Sequence, residues 1–121
     1  MDRSVVSIVR TERSPSYEQI REAVDKAIDL IGGIRDFVRP GQLVLIKPNL
    51  VASPADRESA VVTLPEVSRA VADVVGEIGA RAVIADSSAV GVDTEKVIAG
   101  SGYQSSGRLV MRWLILRKKR S

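Results

Sequence analysis

The chain has 121 residues, 45% of them apolar and 27% charged, with a formal net charge of +3, the profile of one globular domain long enough to bury a core. It contains neither cysteine nor histidine, which excludes disulfides, thiolate nucleophiles, thiol-bound zinc or iron–sulfur centres, a Ser-His-Asp triad and an imidazole base or metal ligand. Any chemistry must therefore use Asp, Glu, Lys, Ser, Thr or Tyr, backbone amides, or a bound cofactor.

The N-terminal stretch MDRSVVSIVRTERS lacks a long apolar segment, and no uncharged run in the chain approaches the roughly 20 residues that span a bilayer. The expected location is the cytoplasm. Val5 to Val9 is apolar and β-branched and predicts a first strand. Ser14-Pro15-Ser16 breaks the chain, and Ser16 followed three residues later by Gln19 predicts a capping box. Ile20, Val24, Ala27, Ile28 and Ile31 then recur at helical spacing until Gly32-Gly33. After the Arg39-Pro40-Gly41 turn, Leu43 to Ile46 is a continuous apolar run and predicts the second strand.

Thr63-Leu64-Pro65-Glu66 reads as a second helix start, with Thr63 as cap and Glu66 reaching back to it. Val67, Ala70, Val71, Val74, Val75 and Ile78 supply the buried stripe, and Gly79 stops the helix. Ala82 to Ala85 predicts a third strand, and a short helix is expected from about Asp93 to Ala99. Strands this apolar, alternating with helices, predict a three-layer α/β fold: a mainly parallel sheet with flanking helices on both faces.

Both later strands end in polar residues. Lys47, Pro48 and Asn49, the chain's one asparagine, follow the first, and Asp86, Ser87 and Ser88 follow the second. In an open parallel sheet these carboxyl ends line the ligand crevice, because the following helices present their N-termini there. Lys47, Asn49, Asp86 and Ser87, with Thr63 nearby, are the candidate ligand-binding residues. A lysine beside helix-start amides favours an anion such as phosphate or carboxylate. Each feature has a plainer reading as well: a surface lysine, a Pro-Asn turn, and caps at Asp86-Ser87-Ser88 and Thr63. No G-x-G-x-x-G or G-x-x-x-x-G-K-[ST] sequence occurs, so neither a dinucleotide nor a P-loop site is expected. Catalytic residues are not assigned, and no metal ligands are expected.

As an ordered set, LVLIKPNLV, the T-x-P-E helix start, VADVVGEIGARAVIADSS and the helix ending GSGY resemble the N-terminal part of the "domain of unknown function 362" proteins over about residues 4 to 103. The resemblance implies an α/β domain of prokaryotic proteins, some of which carry a ferredoxin-like iron–sulfur module. It places Lys47, Asn49, Asp86 and Ser87 on motif positions. Without cysteine, this chain has no such module, and no cofactor is expected. Family members are usually two to three times longer.

From Gln104 the sequence QSSGRLVMRWLILRKKRS departs from that pattern. The expected organisation is thus an α/β domain over 1–103, the N-terminal half of a larger domain, and a basic tail over 104–121, as in a truncated or frame-shifted reading frame. Charge marks the same division. Residues 97 to 121 carry six cations (Arg108, Arg112, Arg117, Lys118, Lys119 and Arg120) and no anion; taking these from the 18 basic residues leaves 12 against 15 acidic ones before them, a net of −3. The functional expectation is a ligand-binding fragment for a small anionic metabolite, with enzyme activity left open. The alternatives are an interaction module whose tail contacts nucleic acid or anionic lipid, and an inactive remnant. A homo-oligomer or a partner supplying the missing domain half would complete the fold. The tract 108–116 is expected as an added strand or a loosely attached helix.

Overall fold

The structure, a computed structural model, describes residues 3–51, 61–86, 96, 97, 102 and 103. Of the elements and motifs expected from the sequence, most of the short helix over 93–99, Ser87, Ser88 and the whole tail 104–121 lie outside these residues.

Helix α1 (Tyr17–Asp29) begins at the capping box read from the sequence. The Ser16 hydroxyl accepts from the Gln19 amide at 3.2 Å, and the Gln19 side-chain oxygen accepts from the Ser16 amide at 2.8 Å. Glu18 sits in the first turn and Lys26 in the last, each suited to its end of the helix dipole. A single turn of 3-10 helix, Ile34–Asp36, leads to strand β1 (Leu43–Ile46). Helix α2 (Pro65–Glu77) crosses over to strand β2 (Arg81–Ile84), which pairs parallel to β1 with Leu43 opposite Arg81 and Ile46 opposite Ile84. Backbone bonds prolong this ladder at both ends, from Arg81 N to Gln42 O at 2.8 Å and from Ala85 N to Ile46 O at 3.0 Å. The α/β class with a parallel sheet and helices is therefore the observed one.

Gly79 makes the tight exit from α2 into β2 possible. Its φ of +82° belongs to the left-handed region that side chains resist, and its amide and that of Ala80 close the helix end onto Gly76 and Val75 carbonyls. The Gly79 carbonyl then accepts from Gly41, holding the β1 entry turn against the β2 entry.

The core lies between α2 and one face of the sheet. Val75, Ala80 and Val38 are buried together with Val44, Ile34, Ile78 and Ala82 packed around them. Helix α1 packs on α2, and Ile20 is the one buried residue of α1. A polar seam runs along that contact. The Tyr17 hydroxyl donates to Asp73, Arg69 lies over the Tyr17 ring at 4.1 Å, and Arg21 reaches Glu77 at 2.6 Å. Such half-exposed ion pairs orient the helices more than they hold them, since solvent screens them.

Two sequence expectations differ here. Val5 to Val9 is not a strand: Val5, Val6 and Ile8 are 73%, 79% and 88% exposed, and the segment runs beside α1, with the Ser7 hydroxyl donating to the Ala27 carbonyl at 2.7 Å. β-branched residues form a strand only where a neighbour offers a ladder, and none does among the described residues. The second face of the sheet is also open: Leu43 and Leu45 are 62% and 55% exposed, so no covering helix lies there among the described residues.

Ile20→Ala is expected to lower unfolding free energy by about 2–5 kcal/mol, through lost burial and the cavity left between the helices. Ile8→Ala, on the exposed segment, should change it by less than about 0.5 kcal/mol. Urea midpoints of the two variants check both, and equal losses would show that residues 5–9 are buried in solution.

Candidate functional site

Parallel strands deliver their last residues to the same edge, and the residues there follow from that constraint. Pro48 has no amide to offer a ladder, so pairing stops and the chain turns away after β1. Exposure nevertheless keeps alternating: Lys47 and Asn49 are exposed while Pro48 and Leu50 are buried. Leu50 enters a second core cluster with Ile84, Val97 and Tyr103, against which Ile46 and Val62 pack.

Asp86 lies just past β2, and its side chain is only 2% exposed. Its Oδ2 accepts from the Leu50 amide at 2.9 Å. Its Oδ1 faces the Lys47 ammonium at 2.7 Å, although Lys47 itself remains 67% exposed. That contact is an ion pair by distance but lacks the angles of a directed hydrogen bond; charge rather than orientation compensates Oδ1. Lys47 and Asp86, both expected at the carboxyl edge, thus meet there as an ion pair. One ion pair engages one face of an ammonium with three donors, so the solvent side of Lys47 is open to a further acceptor.

Asn49 and Thr63 meet as well, but mainly with each other. The Asn49 amide donates to the Thr63 hydroxyl at 2.9 Å, the Thr63 amide to the Asn49 carbonyl at 3.0 Å, and the Asn49 side-chain amide to the Val61 carbonyl at 2.9 Å. These bonds close the neck of the loop between β1 and α2. Thr63 is not the helix cap. Leu64 occupies that position, with no side-chain capping bond, and Pro65 opens the helix. The expected capping box is absent because the helix begins one residue later than read, and the Thr63 hydroxyl accepts from the Asn49 amide instead. Ser87 lies outside the described residues.

Tyr103 and Ser68 were not singled out in the sequence, yet they stand directly behind this edge. Tyr103 is 1% exposed and Ser68 2%. The Tyr103 hydroxyl donates to the Thr63 carbonyl at 2.9 Å and lies 2.9 Å from the Ser68 hydroxyl, which must then be the donor to it. Burial pushes the Tyr103 phenol up to about 12; the Ser68 bond opposes this, and the negative charges of Glu66 and Asp86 add to it. The available signal was the GSGY motif, whose tyrosine stands just after a glycine with φ of +83°.

Among the described residues no group of three or more acidic side chains is placed to hold a metal ion, and no helix is long and apolar enough to cross a membrane. The clefts at the N-terminal segment, lined by residues such as Arg10, Glu22 and Lys26, lie along α1 and away from Lys47 and Asp86. The tail proposed for nucleic acid or lipid contact lies outside the described residues.

The model of the family described as "Domain of unknown function (DUF362)" matches residues 44–115. The match takes in both polar strand ends and runs on past Tyr103 through the first part of the tail. The chain is also similar to a thylakoid-associated protein of Synechocystis sp. (strain ATCC 27184 / PCC 6803 / Kazusa), 36% identical over 101 residues, which are 82% of this chain and 31% of that protein. The chain therefore spans about a third of the length of this curated relative. No solved structure matches.

Two outcomes follow from the geometry of the edge. Asp86→Ala leaves the buried Leu50 amide without its acceptor and should cost about 1–3 kcal/mol, whereas Asp86→Asn keeps an acceptor oxygen and should cost clearly less; urea unfolding of both variants makes the comparison. The second concerns alkali. Tyr17, raised by burial and by its bond to Asp73, also reaches about 12, so both tyrosines of the chain hold their protons more tightly folded than unfolded. Their contribution to stability is full below pH 10 and is lost as pH rises from 10 toward about 12. Phenolate absorbance should accordingly show no step near pH 10 in the folded protein, and one tyrosine titrating there would refute the assignment for that residue.

Proposed function

Given that this chain belongs to the domain of unknown function family DUF362, we propose that it supplies one wall of a small-molecule site, in which Lys47 receives an anionic group at the carboxyl edge of the sheet. The observation that supports this reading is the Lys47–Asp86 pair, with one partner 2% and the other 67% exposed. The buried carboxylate fixes the base of the ammonium, and the exposed side is left for a carboxylate or phosphate oxygen. Asn49, exposed beside it, keeps its side-chain oxygen available while its nitrogen holds the loop neck. Thr63 and Ser87 belong to the same proposal, Thr63 through its tie to Asn49.

Asp86 already offsets most of the lysine's charge, so a simple anion binds weakly, with Kd on the order of millimolar. No cofactor or metal is part of the proposal, and no reaction is assigned to the chain. Its expected place is the cytoplasm; the thylakoid association named for the relative is the competing outcome in cell fractionation.

The test is a titration of the full chain with inorganic phosphate, followed by amide chemical shifts. Lys47, Leu50 and Asp86 should move together and saturate in the millimolar range. Lys47→Ala should abolish the response, and Asp86→Asn, which removes the competing charge, should tighten it several-fold. Shifts that persist in Lys47→Ala, or none at all, would overturn the proposal.

A further inference from the structure

The N-terminal segment lies along α1, pinned there by the bond from the Ser7 hydroxyl to the Ala27 carbonyl at 2.7 Å, and two clefts border it. One, of about 290 Å³, opens toward the start of α2 and is apolar throughout except for Thr11; Val9 and Pro15 line it from the segment, Ala23 and Ala27 from α1, and Leu64 and Val67 from the α2 side. The other, of about 420 Å³, lies between residues 9–12 and one face of α1 formed by Gln19, Glu22, Ala23 and Lys26. Val9, Thr11 and Ala23 line both, so the two clefts adjoin. The apolar gap therefore has a charged neighbour. Arg10 and Lys26 supply two cations there, Glu12 and Glu22 two anions, and all four are exposed. None of the four is ion-paired to another described residue, although Glu22 and Lys26 stand at the spacing that commonly pairs on a helix.

We propose that these adjoining clefts bind a small zwitterion with an apolar body, the chemistry of a free apolar amino acid. Ligand pockets are mostly apolar, with a few polar groups that fix orientation, and here the two kinds of lining are sorted into two compartments. The balance of charge selects the ligand. A simple anion would meet Glu12 and Glu22 as well as the two cations, and a simple amine would meet Arg10 and Lys26. A molecule carrying both signs side by side answers both pairs. The Arg10 guanidinium suits a carboxylate, which it can take through two parallel bonds, and the Glu22 carboxylate suits an ammonium. The gap of about 290 Å³ stands at the lower limit of ligand pockets, which favours one branched or aromatic side chain over a long acyl chain. Solvent screens exposed charges, so binding is weak, with Kd on the order of millimolar. The site is separate from the Lys47 edge and does not depend on it.

Phenylalanine titrated into the full chain should move the amide chemical shifts of Val9, Ala23 and Val67 together, saturating in the millimolar range. Phenylpropionate, which lacks the ammonium, and phenethylamine, which lacks the carboxylate, should each bind about tenfold more weakly, the worth of one charge-assisted bond. Arg10→Gln should weaken phenylalanine and phenylpropionate without weakening phenethylamine. Glu22→Gln should weaken phenylalanine and phenethylamine without weakening phenylpropionate. Ala23→Leu, which fills the place the two clefts share, should abolish the response, and Lys47→Ala should leave it intact. The proposal is overturned by a lack of saturable shifts, by shifts that survive Ala23→Leu, or by phenylpropionate binding as tightly as phenylalanine. Should Ala23→Leu fail to fold, the two exposed positions decide: an affinity for phenylalanine that neither Arg10→Gln nor Glu22→Gln lowers refutes it.

Discussion

The Asp86 carboxylate is the constraint around which the rest of the described structure is arranged. With its side chain 2% exposed, it has given up nearly all its water, a loss of several kcal/mol unless replaced. Two groups replace it. The Leu50 amide approaches Oδ2 and the Lys47 ammonium approaches Oδ1. Both come from the segment that follows β1, whereas the carboxylate follows β2. The bond to Leu50 can form only when the two strands are already paired in parallel and end level with each other. A charge-assisted bond of this kind contributes about 1.5–3 kcal/mol, less than the desolvation it answers, so strand register, loop path and ion pairing stand or fall together.

From Leu50 the same logic runs outward. Its amide is held by Asp86 while its side chain enters the core with Ile84, Val97 and Tyr103. Tyr103 reaches back to Thr63 and Ser68, and Thr63 closes the loop neck onto Asn49. One continuous set of contacts therefore joins the end of β1, the start of α2, the end of β2 and the glycine-tyrosine turn. Pro65 fits the scheme because it opens α2 where no intrahelical donor is lost. The helix start is positioned by the loop neck and not by a cap of its own.

Much of this was legible in the residues. The capping box at Ser16 and Gln19, the crossover from β1 through α2 to β2, and the convergence of Lys47 with Asp86 each rest on local patterns of short range. What escaped depended on partners distant in the chain. The hydroxyl of Thr63 looks equally able to cap α2 or to accept from Asn49, and only the folded loop decides between them. Val5 to Val9 carries the letters of a strand, but a strand exists only against a neighbour. Tyr103 gains its role from Thr63 and Ser68, 40 and 35 residues away, a separation no periodicity reports. The run Leu43 to Ile46 read as buried on both sides, because apolar letters record what a strand tolerates and not which of its faces is covered.

Strand parity explains why the polar end of β1 consists of the residue types found there. Alternation carries through Pro48 to Leu50, so the odd positions Leu43, Leu45, Lys47 and Asn49 share the open side and the even ones turn inward. At the end of β2 and just past it, Ile84, Ala85 and Asp86 are all buried. The cation that compensates Asp86 therefore starts from an exposed position after β1 and reaches a buried carboxylate. A four-carbon stem ending in a compact ammonium can make that reach while keeping its far side in water. The planar fork of an arginine would need both its donors aligned on a carboxylate whose second oxygen already belongs to Leu50. Ordering a lysine costs up to about 2 kcal/mol of rotamer entropy, which an exposed pair would not recover but a buried, otherwise uncompensated carboxylate does. Lysine at this position follows from the geometry before any ligand is considered, and the open side of its ammonium is what the same geometry leaves for one.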